Sequence, residues 1–191
     1  MDIWGLTRRA HEDTGKIINT LTEGDWRRST PCSEWTAGDV VRHLVDNNTR
    51  FAALAAGRDR SPVSAPETRL PDAFAESSAE FLEAFDAEAR KKTLDFGAFG
   101  PLPGGFAMGV LFVDVLVHGW DLDTALGREH RWDDELVTIA LSIAGKYPDV
   151  APVRGPGGAF AAAVEPGGNA APGDRLVALL GRDPQRAFVT R

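Results

Sequence analysis

The chain has little of what builds crosslinked or polycationic proteins: its 191 residues include one cysteine, one tyrosine, two methionines and four histidines. With Cys32 alone, no intramolecular disulfide can form. That excludes a small crosslinked scaffold and fits a reducing compartment. Basic residues are in deficit, 21 against 28 acidic, for a net charge of -7. This argues against nucleic acid or an anionic membrane as partner. No long unbroken apolar run is present either. The longest uncharged stretch, residues 96–113, is interrupted by glycines and prolines and ends at Asp114, so no membrane span is expected. The segment Met1 to Arg9 carries no basic region followed by an apolar signal core, and a cytoplasmic location is the expectation.

What is there reads as an ordinary globular chain, 43% hydrophobic and 26% charged, most simply one domain with a small appendage. Helical spacing dominates. Ile3, Leu6, Ala10, Ile17 and Leu21 predict an amphipathic helix from about Asp2 to Leu21. Thr36 and Asp39 form a capping-box pattern that opens a second helix running to about Ala56, with Gly57 placed to end it. A Pro-rich crossover from Ser61 to Pro71 leads to a third helix, Asp72 to Lys92. After a Gly/Pro loop over Gly97 to Gly105, a fourth helix from about Gly104 to Leu126 is apolar nearly all round and is expected to be the most buried. A fifth covers about Asp133 to Tyr147, stopped by Pro148. The remainder is rich in Gly, Pro and Ala, with Phe160 to Val164 as an extended candidate and a short helix over Asp174 to Leu180. The expected fold is all-α: a four-helix bundle over residues 1–150 with an extra helix, then an irregular C-terminal extension over 151–191.

The residue that breaks the pattern is Asp114, set among Phe112, Val113, Val115, Leu116 and Val117. A lone carboxylate there is costly to bury unless something positive compensates it. His118 follows four residues later, on the same helical face. Asp121 falls one turn further on. His43, at the edge of the second helix's apolar face, is the histidine that a bundle can bring against this pair. Two imidazoles and one carboxylate would hold one divalent ion with open positions, suiting zinc or nickel and acceptable to ferrous iron. Spacing alone does not decide this, because Asp39 precedes His43 by the same four residues. A buried Asp–His hydrogen bond that only orders the core stays open as the second reading. His11 and His130 sit among charged neighbours and are expected at the surface. Trp35 and Trp120 are expected as core wedges, and Cys32 as a packed loop cysteine without a nearby base.

The segment Pro31-Cys-Ser-Glu-Trp-Thr-Ala-Gly-Asp-Val-Val-Arg-His-Leu-Val-Asp-Asn-Asn48 resembles the P-C-x-x-W-T-x-x-D-L-x-x-H-L-x-x-x-N signature of the DinB-like, mycothiol-dependent maleylpyruvate isomerase-like superfamily. Asp114-Val-Leu-Val-His-Gly-Trp-Asp-Leu122 resembles its second motif, [DE]-x-x-x-H-x-W-D-L. The stretch Arg175 to Pro184 is similar to the ending of one metal-binding subfamily of that group. The resemblance implies a DinB-type bundle with one divalent metal on His43, Asp114 and His118. Several relatives carry histidine or glutamate where Asp114 stands, so the aspartate is a shorter arm.

In this picture Asp121 orients a ligand histidine or caps the helix, and Asn48 faces the cavity or bonds between helices. No catalytic residue beyond the metal ligands is implied. The resemblance further implies a low-molecular-weight thiol such as mycothiol as cosubstrate, attacking an electrophilic small molecule. Only about 40 residues follow the fifth helix, whereas the full isomerase has a larger second domain. Maleylpyruvate isomerisation itself is therefore not expected, and a transferase or isomerase of related type is. The alternative is a non-catalytic metal-binding or stress-response bundle. An apolar bundle face left after packing would make a homodimer a reasonable assembly.

Overall fold

The computed structural model describes residues 2–32, 34–58 and 65–185. Its helices are α1 (Ile3–Ile18), α2 (Ala37–Ala55), α3 (Leu70–Ala84), α4 (Gly104–Ala125), α5 (Asp134–Ala144) and α6 (Pro172–Leu179). α1 packs on α4 and α3, α2 packs on α3 and α4, and α5 covers α4 while α6 packs on α5. The all-helical expectation is met, with one addition. Thr93–Asp95 (β1) pairs antiparallel with Pro101–Pro103 (β2), Leu94 opposite Leu102; β1 follows the expected helix end at Lys92 and β2 lies inside the expected Gly97 to Gly105 loop. Gly97 and Gly100, at φ 59 and 68, turn the chain between these strands.

Local chemistry sets the helix ends. α2 opens on a reciprocal capping box: Thr36 Oγ1 accepts from the Asp39 N–H at 3.2 Å, and Asp39 accepts from the Thr36 N–H at 3.0 Å. α1 ends three residues before the expected Leu21, because the Thr20 and Leu21 N–H groups bond back to Ile17 and Ile18 as tight turns. α3 begins at Leu70, two residues early, since Pro71 fits the first turn where no N–H is needed. It stops at Ala84 rather than Lys92. There Asp86 draws off the Glu88 and Ala89 N–H groups at 2.9 and 2.7 Å and starts a separate 3-10 turn. Residues 61–64 of the expected crossover lie outside the described residues.

α4 is the axis of the molecule. By length and composition it would pass as a membrane span, yet 83% of its apolar window is buried inside the protein. Gly119 permits the close crossing of α1, because a Cβ there would stand 2.8 Å from Thr14 Oγ1. The buried face of α1 is more polar than periodicity suggests: Thr7, His11 and Thr14 are buried along with Leu6, Ala10 and Ile18. Each is bonded, Thr7 to the Ile3 carbonyl at 2.8 Å and Thr14 to the Val115 carbonyl at 3.0 Å.

The C-terminal segment folds back over the bundle. Gly173 lies directly under the indole of Trp132, where a Cβ would meet Nε1 at 2.0 Å. The Val164 N–H reaches the Ala178 carbonyl at 2.9 Å. Of the expected extended run, Phe160 makes an isolated bridge with Arg154.

Candidate metal centre

α2 carries His43 and Asn47 on one face, four residues apart, and α4 carries Asp114, His118 and Asp121. The bundle presses these faces together. His43 Nε2 lies 3.2 Å from Asp114 Oδ2, and His118 Nε2 lies 3.4 Å from Asp114 Oδ1. One candidate ligand atom from each of His43, Asp114 and His118 falls within 4.8 Å of the others. The two imidazoles meet edge-on, centroids 5.0 Å apart, and Trp35 lies nearly parallel to His118 at 5.8 Å.

Behind this trio runs a chain of ion pairs. His118 Nδ1 donates to Asp121 Oδ2 at 2.8 Å, and Arg182 Nη2 donates to the same oxygen at 2.8 Å. Asp121 is completely buried. A donating Nδ1 leaves Nε2 to face Asp114, which is the orientation a metal-ligating histidine needs. Arg182 is itself anchored through Nη1 to the Leu180 carbonyl at 3.0 Å.

The electrostatics are those of charges that compensate one another. Burial would raise the Asp114 carboxyl, but the His43 and His118 imidazoles outweigh it and hold it well below the carboxylate range. Burial likewise disfavours the charged form of His118, yet Asp114 and then Asp121 raise it to about 9. For Asp121, burial is outweighed by Arg182 and His118, and its carboxyl is lowered. Burial pushes the Cys32 thiol up to about 11, with Arg182 opposing.

The trio opens into a cavity of about 530 Å³. Pro31, Cys32 and Trp35 form one wall, while Phe160, Ala161 and Arg182 from the C-terminal segment form the other. Trp35 was expected as a core wedge and instead lines the cavity, because the loop before α2 turns it onto the imidazoles. Trp120 is buried in the core as read.

Of the two readings open for Asn48, the hydrogen bonds show the one between helices: it bonds to His11 Nε2 at 3.0 Å and to Ser78 and Ser77 at 3.2 and 3.4 Å, and it does not line the cavity. Two histidines differ from their expected places. His11, expected at the surface, is buried between the rings of Phe74 and Phe81. His130, expected in a solvated loop, is packed on Trp132 and bonded to Asp123 at 2.8 Å. In both cases charged sequence neighbours point outward while the imidazole finds a polar partner inside. Asp39, which mimicked Asp114 by spacing, is taken up by its cap.

Sequence reasoning assigned no role to Asn47 or Arg182. Asn47 Nδ2 donates to Asp114 Oδ2 at 3.1 Å and lies 3.0 Å from His43 Nε2. Its place one helical turn after His43 was a usable signal. For Arg182 the signal was a lone cation directly after an apolar helix and Gly181, whose φ of 82 turns the chain inward.

Residues 7–123 match the family described as mycothiol maleylpyruvate isomerase N-terminal domain. Two uncharacterized proteins, from two strains of Mycobacterium tuberculosis, are each 35% identical over 185 residues, covering 95% of this chain and 98% of theirs. Among solved structures, crystal structures of the mycothiol-dependent maleylpyruvate isomerase and of a histidine-to-alanine mutant align at TM-score 0.61 with 15% and 14% identity. The alignments cover 74% of this chain and 66% of the isomerase chain. His43, Asp114, His118 and Asp121 lie inside the family-matched stretch; Phe160 and Arg182 lie beyond it.

Proposed function

The chain belongs to the mycothiol maleylpyruvate isomerase N-terminal domain family, and from that premise we propose that it is a metal- and thiol-dependent enzyme of transferase or isomerase type. His43, Asp114 and His118 would hold one divalent ion, zinc or nickel by donor chemistry, with iron also accepted. The observation that carries this reading is the meeting of three donor side chains from two helices in the wall of one cavity.

The donor set fits such an ion. Two imidazoles and a carboxylate leave coordination positions open, and His118 is already oriented by Asp121. Asn47 presents an N–H to Asp114 and lies against His43 Nε2, where a cation would be drawn; its amide would give way to the ion. Because His118 keeps its proton to about 9, ion and proton compete for Nε2.

A divalent ion in this place supplies one thing: a thiol coordinated to it is deprotonated at neutral pH. The chain's own residues do the rest. Trp35 screens the imidazoles from bulk water. Arg182 holds Asp121, and Asp121 fixes the tautomer and direction of His118. Pro31, Phe160 and Ala161 supply an apolar bed for the electrophilic partner. Mycothiol is the thiol that the family points to, in a cytoplasmic setting.

The test is a turnover assay. Zinc- or nickel-loaded protein is incubated with mycothiol and a panel of electrophiles, with metal-free and His118→Ala protein alongside. Turnover that needs both metal and thiol, and that His118→Ala abolishes, is the expected result. A second reading, a non-catalytic bundle, rests on one observation: Asp114 is already compensated by His43, His118 and Asn47 without any ion. Full stability in chelator together with no turnover across the panel would favour it.

A further inference from the structure

A second concavity, of about 370 Å³, opens where the starts of α1 and α4 meet α5, and it shares no lining residue with the cavity at the metal trio. Its volume is within the range of small-molecule sites. Ile3, Phe106, Ile139 and Ile143 converge on it, packed against the core on one side and left half-buried on the other. Its floor is bare backbone. Gly105 and Gly109 stand one turn apart on α4, although glycine is a poor helix residue. A Cβ on Gly105 would meet nothing nearer than the Arg90 carbonyl oxygen at 3.6 Å, so packing does not demand glycine there. At Gly109 a Cβ would stand 3.3 Å from Ile143 Cδ1 and 3.9 Å from Ile3 Cδ1, filling the space between the two walls.

Along α5 the lining changes character. Ile139, Ser142, Ile143 and Lys146 recur at helical spacing and so share one face. That face is apolar at Ile139 and cationic at its far end. Lys146 sits in the turn after the helix, its N–H bonded to the Ile143 carbonyl at 3.0 Å. Ile139 and Lys146 are about 10 Å apart along the helix axis. Ser142 and Lys146 are the polar side chains of the groove, and among the described residues neither side chain has a hydrogen bond or an ion pair. In a chain of net charge -7, an ammonium without a counter-charge thus closes one end of an apolar groove.

We propose that this groove binds the free anion of a medium-chain fatty acid. The alkyl chain lies against Ile139, Ile143, Ile3 and Phe106, and the carboxylate meets Lys146 and Ser142. The lone cation sets the sign of the head group. Aliphatic walls over a glycine floor call for a slim unbranched tail, and the volume admits one such chain rather than a two-chain lipid. The site is separate from the metal trio and does not depend on it.

The test is calorimetric titration of the full chain with decanoate, decanol and decyltrimethylammonium, each on zinc-loaded protein and in chelator. Expected is saturable binding of decanoate, alike with and without zinc, its affinity rising about fourfold for each methylene from octanoate to decanoate. Decanol should bind about tenfold more weakly, as for loss of one charge-assisted hydrogen bond, and the cation should not bind measurably. Lys146→Glu, at an exposed position, should lower decanoate affinity by about tenfold or more while leaving decanol affinity and the melting temperature unchanged. Gly105→Leu, which fills the floor, should weaken both ligands. Decanoate binding that requires zinc belongs to the metal cavity and overturns the proposal, as do equal affinities for decanoate and decanol, or full decanoate affinity in Lys146→Glu. A wild-type dimer that Gly105→Leu turns into a monomer in sedimentation would also overturn it, giving the groove to a second copy of the chain.

Discussion

Replacing Asp121 with asparagine tests whether the buried chain from Arg182 to His118 is arranged as described. One Asp121 oxygen accepts from His118 Nδ1 and from Arg182 Nη2, both at 2.8 Å, and its carboxylate is completely buried. Asparagine keeps the shape but removes the charge and turns one acceptor into a donor. With the amide oxygen in that oxygen's place both bonds survive and the amide N–H faces Arg182 Nε, which lies 3.4 Å from the other oxygen; in either orientation the buried guanidinium loses its counter-charge. Removing one partner of a buried pair costs about 3–5 kcal/mol, which at about 2–4 °C per kcal/mol corresponds to a fall in melting temperature of roughly 6–20 °C. Zinc affinity, measured by competition with a chromophoric chelator, should fall roughly 10–100-fold, as for loss of a carboxylate behind a ligand histidine. Adding Arg182→Met removes the stranded charge, so the double variant should recover most of the stability but not the zinc affinity. An Asp121→Asn protein within about 0.5 kcal/mol of wild type would refute the reasoning, as would a double variant whose losses simply add.

The other expectations are narrower. In metal-free protein His118 is raised to about 9, so its stabilising pairing is complete below its unfolded value and is lost as pH rises through 9. Urea melts should show that loss, NMR should show the titration, and Asp114→Asn should remove both. His11 is lowered by burial, with Asn48 and Thr7 opposing. Stability should therefore begin to fall as pH drops below the ordinary histidine range, and His11→Gln should flatten that slope in a series of melts. Gly119→Ala would bring a methyl to 2.8 Å from Thr14 Oγ1 and should cost about 1–3 kcal/mol in denaturant titration. Cys32, with its thiol pushed up to about 11, should alkylate slowly at pH 8; rapid labelling by iodoacetamide would contradict the raised thiol.

How much was legible beforehand follows from the kind of signal each feature sends. α2 and α4 announce themselves through a capping box and a nearly continuous apolar surface, and Asp114 stands out because an acid there breaks that surface. The hairpin does not announce itself: Thr93–Asp95 and Pro101–Pro103 are too short for a period of two to show against Gly and Pro. The buried polar face of α1 is hidden for the opposite reason. Thr7 and Thr14 bond carbonyls and His11 bonds Thr7 and Asn48, so residues that look solvent-facing satisfy themselves inside. Arg182 lies 61 residues from Asp121, a pairing that no local pattern contains.

We propose above that His43, Asp114 and His118 hold one metal ion. Zinc-edge X-ray absorption on protein loaded with one equivalent of zinc tests it most directly. Expected is imidazole scattering from two histidines plus oxygen donors at about 2.0–2.2 Å, with one imidazole lost in each of His43→Ala and His118→Ala. A zinc environment unchanged by both substitutions, or zinc that does not stay with the wild-type protein, would contradict it.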